Sequence, residues 1–199
     1  MKRISIRRVK MRILYAICSP IEHLLLILKG VQLADGFKTC GFAKIHRGSN
    51  SSIIIGRNFK LLNLSWMNLL GLNHRCMIST EDNAVLKIGN NVGMSGSTIW
   101  CFERIIIEDN VRVGANCVIT DGDAHPTDPR SGPFKPVHLC KNVWLGTSVI
   151  VLKGVTIGEN TVIGAGSIVT KDIPANVVAA GNPCKVVKQL DEEIVKKIN

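Results

Sequence analysis

The run Asp121-Gly122-Asp123-Ala124-His125-Pro126-Thr127-Asp128 sets one imidazole among three carboxylates. An imidazole titrates near neutrality, so His125 can take a proton from a hydroxyl as that hydroxyl attacks. A neighbouring carboxylate can hold the ring's tautomer and stabilise the imidazolium that forms. Asp123, two residues away, is placed to do this directly or to shape the loop. The competing reading is a solvated turn with a surface histidine. The remaining histidines, His23, His46, His74 and His138, are dispersed without metal-ligand spacing, so no metal is expected. Lys171, Lys185 and Lys188 form a second chemical set, among glycines and prolines near the end of the chain. Exposed backbone N–H groups beside lysines suit phosphate or pyrophosphate, the alternative being a solvated basic face.

The element that must position these groups is a repeat. Leu145–Ile150, Val151–Thr156, Ile157–Val162 and Ile163–Ile168 read LGTSVI, VLKGVT, IGENTV and IGAGSI, so a branched apolar residue recurs at every sixth place through Val169. Gly146, Gly158 and Gly164 follow three of them, and Val149, Val155, Thr161 and Ser167 are small or β-branched at the fifth place. Neither a helix nor a plain strand has that period; stacked coils of a β-solenoid do. The phase is traceable through Ile88, Met94 and Trp100, and again through Ile107, Val113 and Ile119. Residues 30–80 hold it poorly. Ile53-Ile54-Ile55-Gly56 makes one turn and Leu61 to Leu72 wanders, which predicts irregular coils with outward loops. Between Ile119 and Leu139 the phase breaks in a polar stretch rich in Gly and Pro, which cannot continue strands. Residues 120–138 must therefore leave the coil, carrying His125 with them.

Composition bounds the partners. The chain has 199 residues, 46% hydrophobic and only 5% aromatic, as expected of thin coils filled with Ile and Val. Its net charge of +10 points to anionic partners. No DNA- or RNA-binding motif is present and the basic residues lack aromatic interleaving, so nucleic acid is not expected. The seven cysteines form no CxxC pair and read as reduced, buried thiols of a cytoplasmic protein. Residues 1–12 carry Lys2, Arg3, Arg7, Arg8, Lys10 and Arg12, and an apolar stretch to Leu28 follows, interrupted by Pro20, Glu22 and His23. This predicts one or two helices over 1–30 that cap the solenoid, with residues 1–28 as a peripheral contact to the inner face of the membrane. The solenoid occupies 31–190. A short helix over 191–199, acidic early and basic late, closes the chain.

The stretch VWLGTSVIVLKGVTIGENTVIGAGSIVTKDIPANVVAAGNPCKVVK resembles the end of the hexapeptide-repeat acyltransferases, the left-handed parallel β-helix family, with the sugar and polysaccharide O-acetyltransferases the nearest group. The likeness covers about residues 85–190. It implies a mainly β, left-handed parallel β-helix, acetyl-CoA as donor, and a homotrimer with sites between subunits. His125 matches the family's base. Thr147 matches the position whose backbone N–H serves as oxyanion donor. Trp144 lies at the start of the matching coil, and Gly146 leaves room for the thioester arm. Gly164 and Ala165 match the pantetheine contact, and Thr170, Lys171, Lys185 and Lys188 the nucleotide and phosphate end. The acceptor-contacting Asn of the sugar enzymes is missing; Ser95 or Ser97, with Asp121, is expected to substitute.

The expected reaction is attack of a sugar hydroxyl on the thioester, in capsule, exopolysaccharide or lipopolysaccharide synthesis. Other acceptors (an amino sugar, serine or an antibiotic) stay open. So does a trimeric scaffold without chemistry. A metal-dependent hydratase on the same coil would need three converging histidines, for which the spacing is wrong.

Overall fold

A computed structural model describes residues 6–125 and 127–198, so the calls on Lys2, Arg3, Pro126 and Asn199 lie outside it. The chain winds as a three-sided parallel solenoid. Its first sheet holds Gln32–Leu33, Ser52–Ile55, Val85–Ile88, Arg104–Ile107, Val137–Leu139 and Thr156–Ile157, in that spatial order. The second holds Lys38–Cys40, Lys60–Leu62, Gly93–Ser95, Arg112–Ala115, Trp144–Leu145, Val162–Ile163 and Val177–Ala180, with Lys185–Gln189 added antiparallel at the end. The third holds Lys44–Arg47, Met77–Thr80, Thr98–Cys101, Val118–Thr120, Ile150–Val151 and Ile168–Val169. Successive coils pair in parallel register, for example Val113 with Leu145 and Leu145 with Ile163.

The sixfold residues line the interior: Leu145, Val151, Ile157, Ile163 and Val169 are all fully buried. Each such side chain stabilises the fold by roughly 1.5–3 kcal/mol. The edge between first and second sheets is closed by a ladder of asparagines, Asn58, Asn91, Asn110, Asn142, Asn160 and Asn176. Each side-chain amide donates to the next at 2.8–3.0 Å. All six have φ between 57° and 62°, the left-handed conformation that Asn tolerates better than other residues bearing a Cβ.

Residues 30–80 form two regular coils rather than the irregular ones expected. The disturbance is confined to one excursion, about residues 63–76, between Lys60–Leu62 and Met77–Thr80. The N-terminal segment is one helix, Ile6–Leu28, which runs through Pro20. A helix-interior proline costs about 3 kcal/mol. Docking on the first coil offsets it: Cys18, Glu22 and Leu26 are buried, Glu22 Oε1 accepts the Ala43 N–H at 2.7 Å, and Ser19 Oγ accepts the Thr39 N–H at 3.0 Å. The C-terminal helix Glu192–Ile198 borders a groove on the second sheet, with Ile194 and Ile198 lining it opposite Trp144 and Val162.

Candidate active site

The chain leaves the third sheet after Thr120 and enters the first at Val137, so the predicted loop stands on the edge between those two sheets. Asp121 opens it, fully buried. Its Oδ1 accepts the Phe102 N–H at 2.6 Å, and its Oδ2 accepts those of Glu103 and Arg104 at 2.8 and 2.6 Å. A carboxylate committed to three main-chain donors pins the neighbouring turn and, being fully buried, is out of an acceptor's reach, which corrects the role expected of Asp121. At Gly122 a Cβ would stand 2.6 Å from Phe102 and 2.8 Å from Phe134. Those rings stack at 5.0 Å, and Phe102 lies 4.8 Å from Trp100, an aromatic base for the loop that the spacing did not reveal.

Asp123 serves the loop rather than the imidazole. Its carboxylate pairs with Lys153 Nζ, which also donates to the Ser131 carbonyl. The His125 main chain is clamped: its N–H meets the Asp123 carbonyl, and its carbonyl accepts the Asp128 N–H at 3.0 Å and the Ser131 hydroxyl at 2.5 Å. Ala124 beside it has φ of 48°, a conformation that costs a residue with a Cβ on the order of 1 kcal/mol and is held by these contacts. Asp128 binds Arg130 through both oxygens, which holds its carboxyl below the usual range. Among the described residues none bonds the His125 ring, so an exposed imidazole is presented on a fixed backbone.

A second set of expected residues runs along a different edge, between the second and third sheets. Thr147 follows Trp144–Leu145, and Ala165 follows Val162–Ile163 one coil on. Neither the Thr147 N–H nor the Ala165 N–H donates to a described residue, while the Thr147 carbonyl accepts the Gly166 N–H at 2.8 Å. Gly146 is required by coil stacking: a Cβ there would stand 2.7 Å from the Ala165 nitrogen. The lack of a Cβ lets the next turn approach. Gly164 sits likewise against Ala180, 2.9 Å from a built Cβ. Ser97 is fully buried, its hydroxyl 2.7 Å from the Gly114 carbonyl and accepting the Cys117 N–H at 3.0 Å, so it is structural and cannot meet an acceptor. Ser95 stays half-buried on this edge.

Lys185 and Lys188 lie exposed on the final antiparallel strand, paired with Ala180 and Val178. Thr170 and Lys171, also exposed, follow Ile168–Val169 on the His125 edge. Trp144 lies half-exposed on the outer face of the second sheet, in the groove under the C-terminal helix. The two edges flank the outer face of the third sheet. From the second coil onward the strands of that face present Met77, Ser79, Thr98, Trp100, Val118, Thr120, Ile150 and Ile168, none of them charged, and the Trp100 indole N–H donates to Glu81 Oε1 at 2.7 Å at its margin. The other two sheets present Lys87, Arg104, Lys60 and Arg112 outward.

The coil also brings together a group the spacing had hidden. His138 Nε2 lies 2.7 Å from Glu108 Oε1, with Cys140 beside them. Glu108 Oε2 is taken by the Lys141 N–H at 2.9 Å, so the Glu108–His138 contact reads as a surface hydrogen bond. The cysteines are unpaired, and all but Cys140 are buried. Burial pushes the Cys76 and Cys117 thiols up to about 11, and burial with the nearby Asp121 charge pushes Cys101 to about 12. Thiols so raised are poor nucleophiles at neutral pH.

Residues 136–171 match the family described as bacterial transferase hexapeptide (six repeats), and residues 104–122 match the hexapeptide repeat of succinyl-transferase. Galactoside O-acetyltransferase of Escherichia coli (strain K12) is 46% identical over 123 residues, 56% of this chain and 61% of that relative. The chain thus spans less than two thirds of that relative's length. Among solved structures, a mutant of AntD, an N-acyltransferase from Bacillus cereus in complex with dTDP and coenzyme A, superposes with a TM-score of 0.66. It is 18% identical, over 88% of this chain and 92% of that one. A hexapeptide-repeat acetyltransferase of Vibrio cholerae O1 biovar eltor, complexed with acetyl coenzyme A, has a TM-score of 0.52 at 20% identity, over 94% and 86%. Both likenesses concern the fold.

Proposed function

We propose that the chain is a hexapeptide-repeat acetyltransferase related to the sugar O-acetyltransferases, and that it transfers an acetyl group from acetyl-CoA to a sugar hydroxyl in surface-polysaccharide synthesis. The reading includes a left-handed coil, a cytoplasmic location and a homotrimer. One observation carries it: an imidazole on one edge and backbone donors without a partner among the described residues on another flank one sheet whose outward strand residues, from the second coil onward, are uncharged. Those edges are separated by the width of that face, on the order of 15 Å at about 3.3 Å per residue. Within one chain the two half-sites stay apart. When the uncharged faces of three copies turn to a common axis, the His125 edge of each copy meets the Thr147 edge of the next.

In that groove His125 takes the proton of the acceptor hydroxyl as its oxygen attacks the thioester carbonyl carbon. The neighbouring copy's Thr147 N–H donates to the oxyanion, a contribution of about 3–4 kcal/mol for such a donor. The carbon–sulfur bond then breaks, the thiolate leaves, and the imidazolium returns the proton to it. Thr170 and Lys171 from one copy, with Ala165, Lys185 and Lys188 from the next, line the groove for the pantetheine and phosphates. Lysines act there as point charges.

His125→Ala should lower kcat by roughly 100-fold or more while CoA still raises the melting temperature as in the parent. Parent-like turnover by the variant would overturn the assignment of the base. No shift with CoA in either protein would overturn the donor and favour a scaffold.

A further inference from the structure

The N-terminal helix has two apolar faces, and only one is used. Cys18, Glu22 and Leu26 pack on the first coil. Ile6, Ile13, Ile17, Ile21, Leu24 and Leu28, at the spacings of a single helix face, are between 47% and 75% exposed. The excursion at 63–76 extends that surface. Arg7 donates to the Met67 carbonyl through two nitrogens at 3.1 and 2.6 Å, and Lys10 lies 6.0 Å over the Trp66 ring, so the loop is tied to the helix. Its tip exposes Trp66 at 60%, Leu69 at 85% and Leu70 at 71%. Helix and loop thus form one apolar surface with an indole on it, far more than scattered surface hydrophobes would give. Exposed Lys10 lies on that face, exposed Arg8 and Arg12 lie on the opposite side of the same turns, and no acidic residue precedes Glu22.

We propose that this surface rests on an anionic lipid bilayer, with the helix lying in the plane of the interface. An apolar stripe beside arginine and lysine is what such a surface binds, and tryptophan favours the headgroup level. The helix is long and apolar enough to cross a membrane, with a mean hydropathy of 1.6. Its other face decides against crossing. Glu22 and Ser19 hold main-chain N–H groups of the first coil, and a crossing helix would forfeit both bonds and carry Glu22 into hydrocarbon. A second copy is the poorer occupant, because matching stripes would bring together two like-charged helices, with Lys10 on the contact face and no acidic residue before Glu22 to offset it.

The test is co-sedimentation of the full chain with vesicles of phosphatidylcholine alone or mixed with phosphatidylglycerol. The wild type should bind the mixed vesicles and be released by alkaline carbonate. Binding should fall about tenfold or more in Leu69→Ser/Leu70→Ser and in Ile13→Ser/Ile17→Ser, and weaken on neutral vesicles and in high salt. The altered side chains are exposed, and melting temperatures matching the parent's will show that the fold persists. Vesicle binding equal in parent and variants would overturn the proposal. So would retention after carbonate, which means a crossing helix. A change of oligomeric state with no vesicle binding would assign the surface to a second copy instead.

Discussion

Asp121→Ala separates a structural carboxylate from an acceptor-binding one. Asp121 accepts three main-chain N–H groups, one of them, from Phe102, in a fully buried bond; those from Glu103 and Arg104 are part-buried. Losing the buried charged bond costs about 2 kcal/mol, and each of the others, which water can re-solvate, about 0.5–1 kcal/mol. The sum is roughly 3–4 kcal/mol, or a fall in melting temperature of about 10 °C for a chain of this size. Asp121 opens the loop that carries His125, so kcat should fall as well, with the KM for the sugar changed far less. Thermal melting and steady-state kinetics on the same preparation read both quantities. A variant that melts with the parent but shows a greatly raised acceptor KM would refute the structural role and restore the binding one.

Glu22 sets a pH dependence for the helix that docks on the first coil. Burial raises its carboxyl above the ordinary value of 4.5, against the pull of the Ala43 N–H. The folded chain then keeps a proton that the unfolded chain has lost, so this contribution is complete below pH 4.5 and is lost as pH rises through the raised value. Glu22→Gln keeps an acceptor for Ala43 and should melt progressively above the wild type as pH rises from about 4 to 8; parallel melting curves would contradict the sign. Lys185→Ala/Lys188→Ala should raise the KM for acetyl-CoA about tenfold with kcat nearly unchanged, an effect that shrinks in high salt. An unchanged KM would place the phosphates elsewhere.

The solenoid was legible wherever the core is Ile, Leu or Val at every sixth place, because that interior has room for little else. Over 30–80 the signal faded for two physical reasons. Phe37 and Phe59 fill the first coils with larger, buried side chains. Leu69 and Leu70, which broke the phase, are apolar but exposed and belong to no core. Asp121 and Ser97 looked like site residues because their types suit hydrogen bonding, and only the stacking of coils shows that main-chain groups consume them. The asparagine ladder was present in the text as Asn91-Val92, Asn110-Val111, Asn142-Val143 and Asn176-Val177, one residue before the fifth-place core residue. Its cause is a left-handed turn, which side-chain hydropathy does not register. The assignment of His125 and Thr147 to separate edges follows from the fold, since the loop between them destroys the count along the chain.

That separation is the central claim, and subunit complementation tests it. His125→Ala disables one half-site. Ala165→Trp, at an exposed corner, obstructs the other. Each variant alone should be inactive. Co-expressed in equal amounts, they should assemble closed rings in which about one quarter of the sites pair an intact His125 with an intact Ala165 edge, restoring about one quarter of wild-type activity. Mixed assemblies without activity would mean that each chain completes its own site and would contradict the account.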